Sequence, residues 1–161
     1  MMALRPRLGF AYSHPAHVVA FGFGAGLAPF APGTFGTLLA WPLGWALGSA
    51  HFLVALSLIA ALFVLGVWAC GATGRNLGVH DHGAMVWDEI VAFLLVLVIV
   101  PRELPWQACA FALFRAFDIL KPAPIRWFER RFAGGFGVMF DDLLAAGYTL
   151  FALALARRLL F

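Results

Sequence analysis

Residues 52–70 read FLVALSLIAALFVLGVWAC, an apolar run with no charge and a single hydroxyl, Ser57. A second run, Val138–Ala156, is of similar length. Each comes close to the ~20 residues that cross a bilayer core as a helix. The rest of the chain agrees with them. Of 161 residues, 63% are hydrophobic and 12% charged, and the mean hydropathy is +0.92. A water-soluble domain carries about 45–50% apolar and about 25% charged residues. This chain has about half the charge needed to cover a water-facing surface, which excludes a soluble globule, a disordered chain and a nucleic-acid binder. The net charge of +3 suits basic residues standing beside anionic headgroups.

Three shorter apolar segments, Thr34–Gly48, Trp87–Val100 and Trp106–Leu120, cross only by extending into their polar flanks or where the bilayer thins. Ahead of them, Ala16–Ala31 contains Gly22, Gly24, Gly26 and Pro29. So many breakers predict a half-helix and a re-entrant loop, which survives at membrane depth only where it lines a protein cavity. The expected architecture is all-α: a polytopic membrane helix bundle of about five spans plus an N-terminal re-entrant segment, one domain over 1–161. Basic residues set its orientation. Arg5 and Arg7, Arg75, and the group Lys121, Arg126, Arg130 and Arg131 all fall on the cytoplasmic side if five spans start inside. Arg157 and Arg158 then fall on the other side, against the rule. No cleavage site follows Arg5 and Arg7, so insertion is expected from the spans themselves. Cys70 and Cys109 lie inside apolar runs and read as packing residues.

Five of the eight acidic residues, Asp88, Glu89, Asp118, Asp141 and Asp142, stand at the ends of apolar spans. A carboxylate at mid-bilayer costs ~2.5–3.5 kcal/mol on insertion scales. A single Asp at a helix start is adequately explained by the macrodipole. Five that this topology brings to one face, in a chain that otherwise avoids charge, ask for a shared cation. Hard oxygen donors suit Mg²⁺, which takes one or two carboxylates together with water and substrate phosphate. Arg115, Asp118 and Lys121 follow at i, i+3 and i+6, a ridge on one helix face. Arg115 and Lys121 are candidates to bind phosphate oxygens, although Arg115 and Asp118 also suit a plain intrahelical ion pair. His80, Asp81 and His82 lie in a Gly-flanked stretch, where the histidines are either acid–base groups or loop hydrogen-bonders. Gly134, Gly135 and Gly137 permit close backbone approach to a ligand. Pro32-Gly33-Thr34 at a helix start is a possible anion seat. P-loop and phosphocysteine motifs are absent.

Three stretches together carry a resemblance: GFGAGLAPFAPGTFGTL (22–38), VHDHGAMVWDEIV (79–91) and FRAFDILKPAPIRWFERRFAGGFGVMFDDLLAAG (114–147). In this order they resemble the phosphatidylglycerophosphatase A family, over nearly the whole of 22–147. The resemblance implies a Mg²⁺-dependent lipid phosphatase of the bacterial inner membrane. It would convert phosphatidylglycerophosphate to phosphatidylglycerol and inorganic phosphate, with the site facing the cytoplasm. On that reading Asp88, Glu89, Asp118, Asp141 and Asp142 supply metal ligands, with Asp88, Asp118 and Asp142 central to catalysis. Arg115, Lys121, Gly33 and Thr34 hold phosphate oxygens, and His80 or His82 protonates the leaving glycerol oxygen. The nucleophile, water or an aspartate, stays open, as does the choice among lipid phosphates such as phosphatidic acid. A small transporter with an acidic cation site is the reading from another class, but it calls for ionisable groups nearer mid-bilayer.

Overall fold

The computed structural model describes residues 6–160; Arg5 lies outside them. Among these residues the chain is helical with no strand. It begins with two short helices, α1 (Leu8–Ala11) and α2 (Pro15–Ala20), and a 3₁₀ segment, Gly22–Leu27. There follow α3 (Pro32–Leu47), α4 (Phe52–Leu77), α5 (Trp87–Ile99), α6 (Leu104–Leu120), α7 (Ile125–Arg131) and α8 (Gly134–Leu160).

Side-chain meetings fix how the five long helices run. α3 and α5 lie parallel: Gly33 and Gly36 pack on Glu89 and Val86, and Gly44 on Leu97. α4 runs the other way, with Gly66 against Trp87 and with Ile59 beside Val91 and Leu95. α6 is also antiparallel to α5, since Arg115 reaches Glu89 while Gln107 meets Trp41 and Trp45 of α3. α8 returns alongside α5: Met139 lies by Gly66, and Leu150 and Leu153 lie by Ile99 and Val100. Helices thus alternate up and down. The connections 78–86 and 121–133 fall at one end, and the tight ones at 48–51 and 100–103 at the other. Pro6 lies beside Gly83 at the first end. Arg157 and Arg158 lie beside Val100 and Pro101 at the far end, so the misfit in the basic-residue pattern persists in the fold.

Small residues let these helices approach closely. On α4 and α8, Gly71 and Gly135 are near neighbours, and a Cβ on Gly135 would collide with the Val67 carbonyl. Gly135 therefore serves a helix crossing, and α8 starts before the apolar run does. Asp141 and Asp142 consequently lie about two turns inside α8 rather than at its opening. α5 is the centre of the bundle: Ile90, Val91, Phe93, Leu94, Val96 and Leu97 are all buried. Its Phe93 ring packs on Trp41, Phe111 and Phe114. α5 is sheathed by protein, and its 13 residues span only about 20 Å.

Two helices, Phe52–Leu77 and Gly134–Leu159, are long and apolar enough to cross a membrane. Outward on α4 stand Phe52, Leu53, Val54, Leu58, Val64 and Trp68. Cys70 is buried, but Cys109 is exposed on α6, so only the first is a packing residue.

The N-terminal segment is broken where glycines and prolines accumulate. Phe23 (φ 56°) and Gly24 (φ 109°) leave helical geometry, and Ala31 (φ 44°) turns the chain into α3. The segment packs on the bundle through Asn76, whose amide lies 2.9 Å from His17 Nε2, and through the Val86 N–H, which donates to the Ala20 carbonyl.

Candidate active site

Asp88 and Glu89 occupy the first turn of α5, where the helix dipole favours negative charge. Asp118 stands in the last turn of α6, and Asp141 and Asp142 in the third turn of α8. The alternation of directions brings these places to one level. All five carboxylates, with Lys121 and Asp81, line a single cavity of about 120 Å³. Carboxylate oxygens of Glu89, Asp118 and Asp142 lie within 4.8 Å of one another.

The acids are not solvated surface groups. Asp88, Asp141 and Asp142 are buried, at 7%, 5% and 4% exposure. Their charge is balanced in part by two cations. Arg115 Nη1 donates to Glu89 Oε1 and to Asp118 Oδ2, both at 2.7 Å. Lys121 Nζ donates to Glu129 Oε1 at 2.9 Å and to Asp141 Oδ2 at 3.4 Å. Partial burial alone would lower the Lys121 ammonium, but the Glu129 hydrogen bond and the Asp141 charge lift it above the ordinary lysine range. The pairing leaves buried acceptors over. Asp88 Oδ1, Glu89 Oε2, Asp141 Oδ1 and Asp142 Oδ2 have no hydrogen-bond partner. Unpaired buried oxygens are costly, and four of them converging from α5 and α8 make a donor set for a hard divalent cation.

The remaining sequence candidates sit around this centre. Gly33, buried at the start of α3, packs directly on the Glu89 carboxylate, and Thr34 follows it, partly exposed. Arg115 forms the intrahelical pair with Asp118 and also reaches across to α5. His80 and His82 are not brought to the carboxylates. His80 Nε2 accepts from the Gly134 N–H at 2.8 Å and lines a cavity with Cys70 and Arg75. His82 lines another, with Leu27–Pro32. Two further residues belong to the site: Asp81, at the exposed rim of the carboxylate cavity, and Glu129 on α7, which anchors Lys121. Asp81 sat in view between two histidines; its signal was the same loop position that carries them.

Comparison with known proteins gives this arrangement a class. Residues 18–157 match the family model described as Phosphatidylglycerophosphatase A. A phosphatidylglycerophosphatase A of Haemophilus influenzae is 49% identical over 84% of this chain and 85% of its own length. One from Escherichia coli is 44% identical over 83% of this chain and 78% of its own length. A Bacteroides thetaiotaomicron protein, provisionally named a phosphatidylinositol-3-phosphatase, is 42% identical over 87% of this chain and 92% of its own. No solved structure matches. The protein is thus an enzyme, a phosphoric monoester hydrolase. It belongs to the phosphatidylglycerophosphatase A family.

Proposed function

We propose that this chain removes the terminal phosphate of phosphatidylglycerophosphate, leaving phosphatidylglycerol and inorganic phosphate. It works with Mg²⁺ at the cytoplasmic face of a bacterial inner membrane. The observation carrying this reading is the set of four unpaired buried carboxylate oxygens on Asp88, Glu89, Asp141 and Asp142, beside Asp118 in one cavity. Oxygen donors without thiolate or imidazole suit Mg²⁺, and these residues would hold it. Bound there, the ion supplies charge neutralisation and a more acidic water for attack on phosphorus.

The chain's own groups do the rest. Arg115 positions Glu89 and Asp118, both of which line the cavity. Lys121 lines the cavity, and its 3.4 Å contact with Asp141 is long enough for a phosphate oxygen to compete for the ammonium. The leaving glycerol oxygen takes its proton from water at the rim, relayed by the exposed Asp81 carboxyl that lines the cavity. The apolar outer faces of α4 and α8 support a lipid setting, with the carboxylate cluster confined to one end. That confinement argues against a transporter, which places ionisable groups along the path between leaflets.

The relative named for another phosphoinositide keeps a second lipid phosphate in play. The test is phosphate release by purified protein in detergent from phosphatidylglycerophosphate and from phosphatidic acid, with Mg²⁺ and with chelator. Mg²⁺-dependent release from the first substrate is expected. No release from it, or release that survives the chelator, overturns the reading.

A further inference from the structure

Beside the carboxylate cavity lies another of about 370 Å³, walled by Leu27–Pro32 on one side and by His82, Gly83 and Ala84 on the other. Gly83 lines both cavities, so they adjoin at one residue of the 78–86 connection. Their chemistry is opposite. Among the described residues the second cavity has no acidic side chain in its wall, and its one ionisable group is His82.

His82 is about nine-tenths buried. Its Nδ1 accepts from the Ala84 N–H at 3.1 Å. With that lone pair engaged, the neutral ring carries its proton on Nε2. Nε2 is buried and has no hydrogen-bond partner, so the ring holds a donor that the protein does not use. The same wall includes Ala31 and Pro32, the start of the 16-residue α3, where the helix dipole adds partial positive charge. Next to the wall the two segments meet closely, since a Cβ on Gly26 would collide with the Ala84 carbonyl.

We infer that this second cavity receives the glycerol and phosphodiester portion of the lipid headgroup, with His82 Nε2–H donating to one of its oxygens. The inference rests on the lipid-phosphatase reading above. With the terminal phosphate among the carboxylates, the next atoms of the substrate are a glycerol and a second, diester phosphate. Five acids repel that second anion, and the neighbouring cavity offers it a neutral donor and a helix start instead. His82 then selects for headgroups with a diester behind the monoester, which phosphatidic acid lacks.

The experiment measures phosphate release from phosphatidylglycerophosphate in detergent with Mg²⁺, using two inhibitors. Glycerophosphoglycerol carries only the diester half, and inorganic phosphate probes only the carboxylate cavity. Both should inhibit the unaltered protein. His82→Ala should raise the inhibition constant of glycerophosphoglycerol by about tenfold or more, and that of phosphate by less than about twofold. His82→Gln, which retains a donor, should recover part of the loss. Ala28→Trp, which fills the cavity with His82 in place, should repeat the selective loss and decides the matter if His82→Ala does not fold. Failure of glycerophosphoglycerol to inhibit the unaltered protein overturns the inference. So do variants that shift both inhibitors equally or neither. An unaltered protein that releases no phosphate refutes the functional reading itself, a separate result.

Discussion

The Gly33 backbone lies against the Glu89 carboxylate so closely that a methyl group at position 33 would collide with Oε1. Gly36, one turn on, packs on Val86 and comes near Glu89 Oε2. The start of α3 is thereby a wall of the site, placing a carboxylate that Arg115 holds from the other side.

Gly33→Ala should therefore displace Glu89 and lower phosphate release by about a hundredfold, the scale set by a misplacement of about 1 Å. Gly147→Ala on α8, where nothing lies within 4 Å of the added carbon, is the control and should keep full activity. Comparable rates for the two variants would remove Gly33 from the site.

Arg115 is largely buried between two acids, with 15% side-chain exposure. Arg115→Met strands Glu89 and Asp118 as uncompensated charges and should destabilise the fold by about 3–5 kcal/mol. Thermal unfolding in detergent reads this directly. Both hydrogen bonds come from the single Nη1, so Arg115→Lys, which keeps the charge on a shorter donor, should recover part of that stability.

Metal binding has a readout independent of turnover. A cation that binds only the folded protein raises stability by about 2.7 kcal/mol at a hundred times its dissociation constant. Unfolding of the unaltered protein should shift upward with Mg²⁺ and fall back with chelator. Asp142→Asn should abolish that shift, and an unchanged shift would take Asp142 out of the ligand set.

At the far end, Gln107 Oε1 accepts from the indoles of both Trp41 and Trp45, at 2.6 and 3.0 Å. Gln107→Leu orphans the half-buried Trp41 donor and should cost about 1 kcal/mol. Because this clamp is remote from the carboxylates, KM should stay within about twofold.

The acidic positions were legible because carboxylates in an apolar chain are expensive, so each carries information about depth. Alternating helix directions then bring Asp88, Asp118 and Asp142 to one level. What pairing does to a side chain was not legible. Nothing in the spacing of Arg115 and Asp118 reveals that Arg115 also reaches Glu89, a residue distant in sequence. Nor does it reveal that Glu129 anchors Lys121, since α7 is placed by tertiary packing. The glycines before Asp141 suggested a ligand seat, but Gly135 closes on α4 and Gly137 on the Phe132 carbonyl. His80 and His82, two residues apart, line different cavities because the 78–86 connection has no regular period.

With the carboxylate cavity at one end of the bundle, the proposed function predicts an enzyme that reads a single leaflet. In sealed vesicles with the protein in one orientation, substrate in the leaflet at the carboxylate end is consumed. Molecules in the opposite leaflet wait until they cross, so the reaction should stop part-way and resume when lipid scrambling is induced.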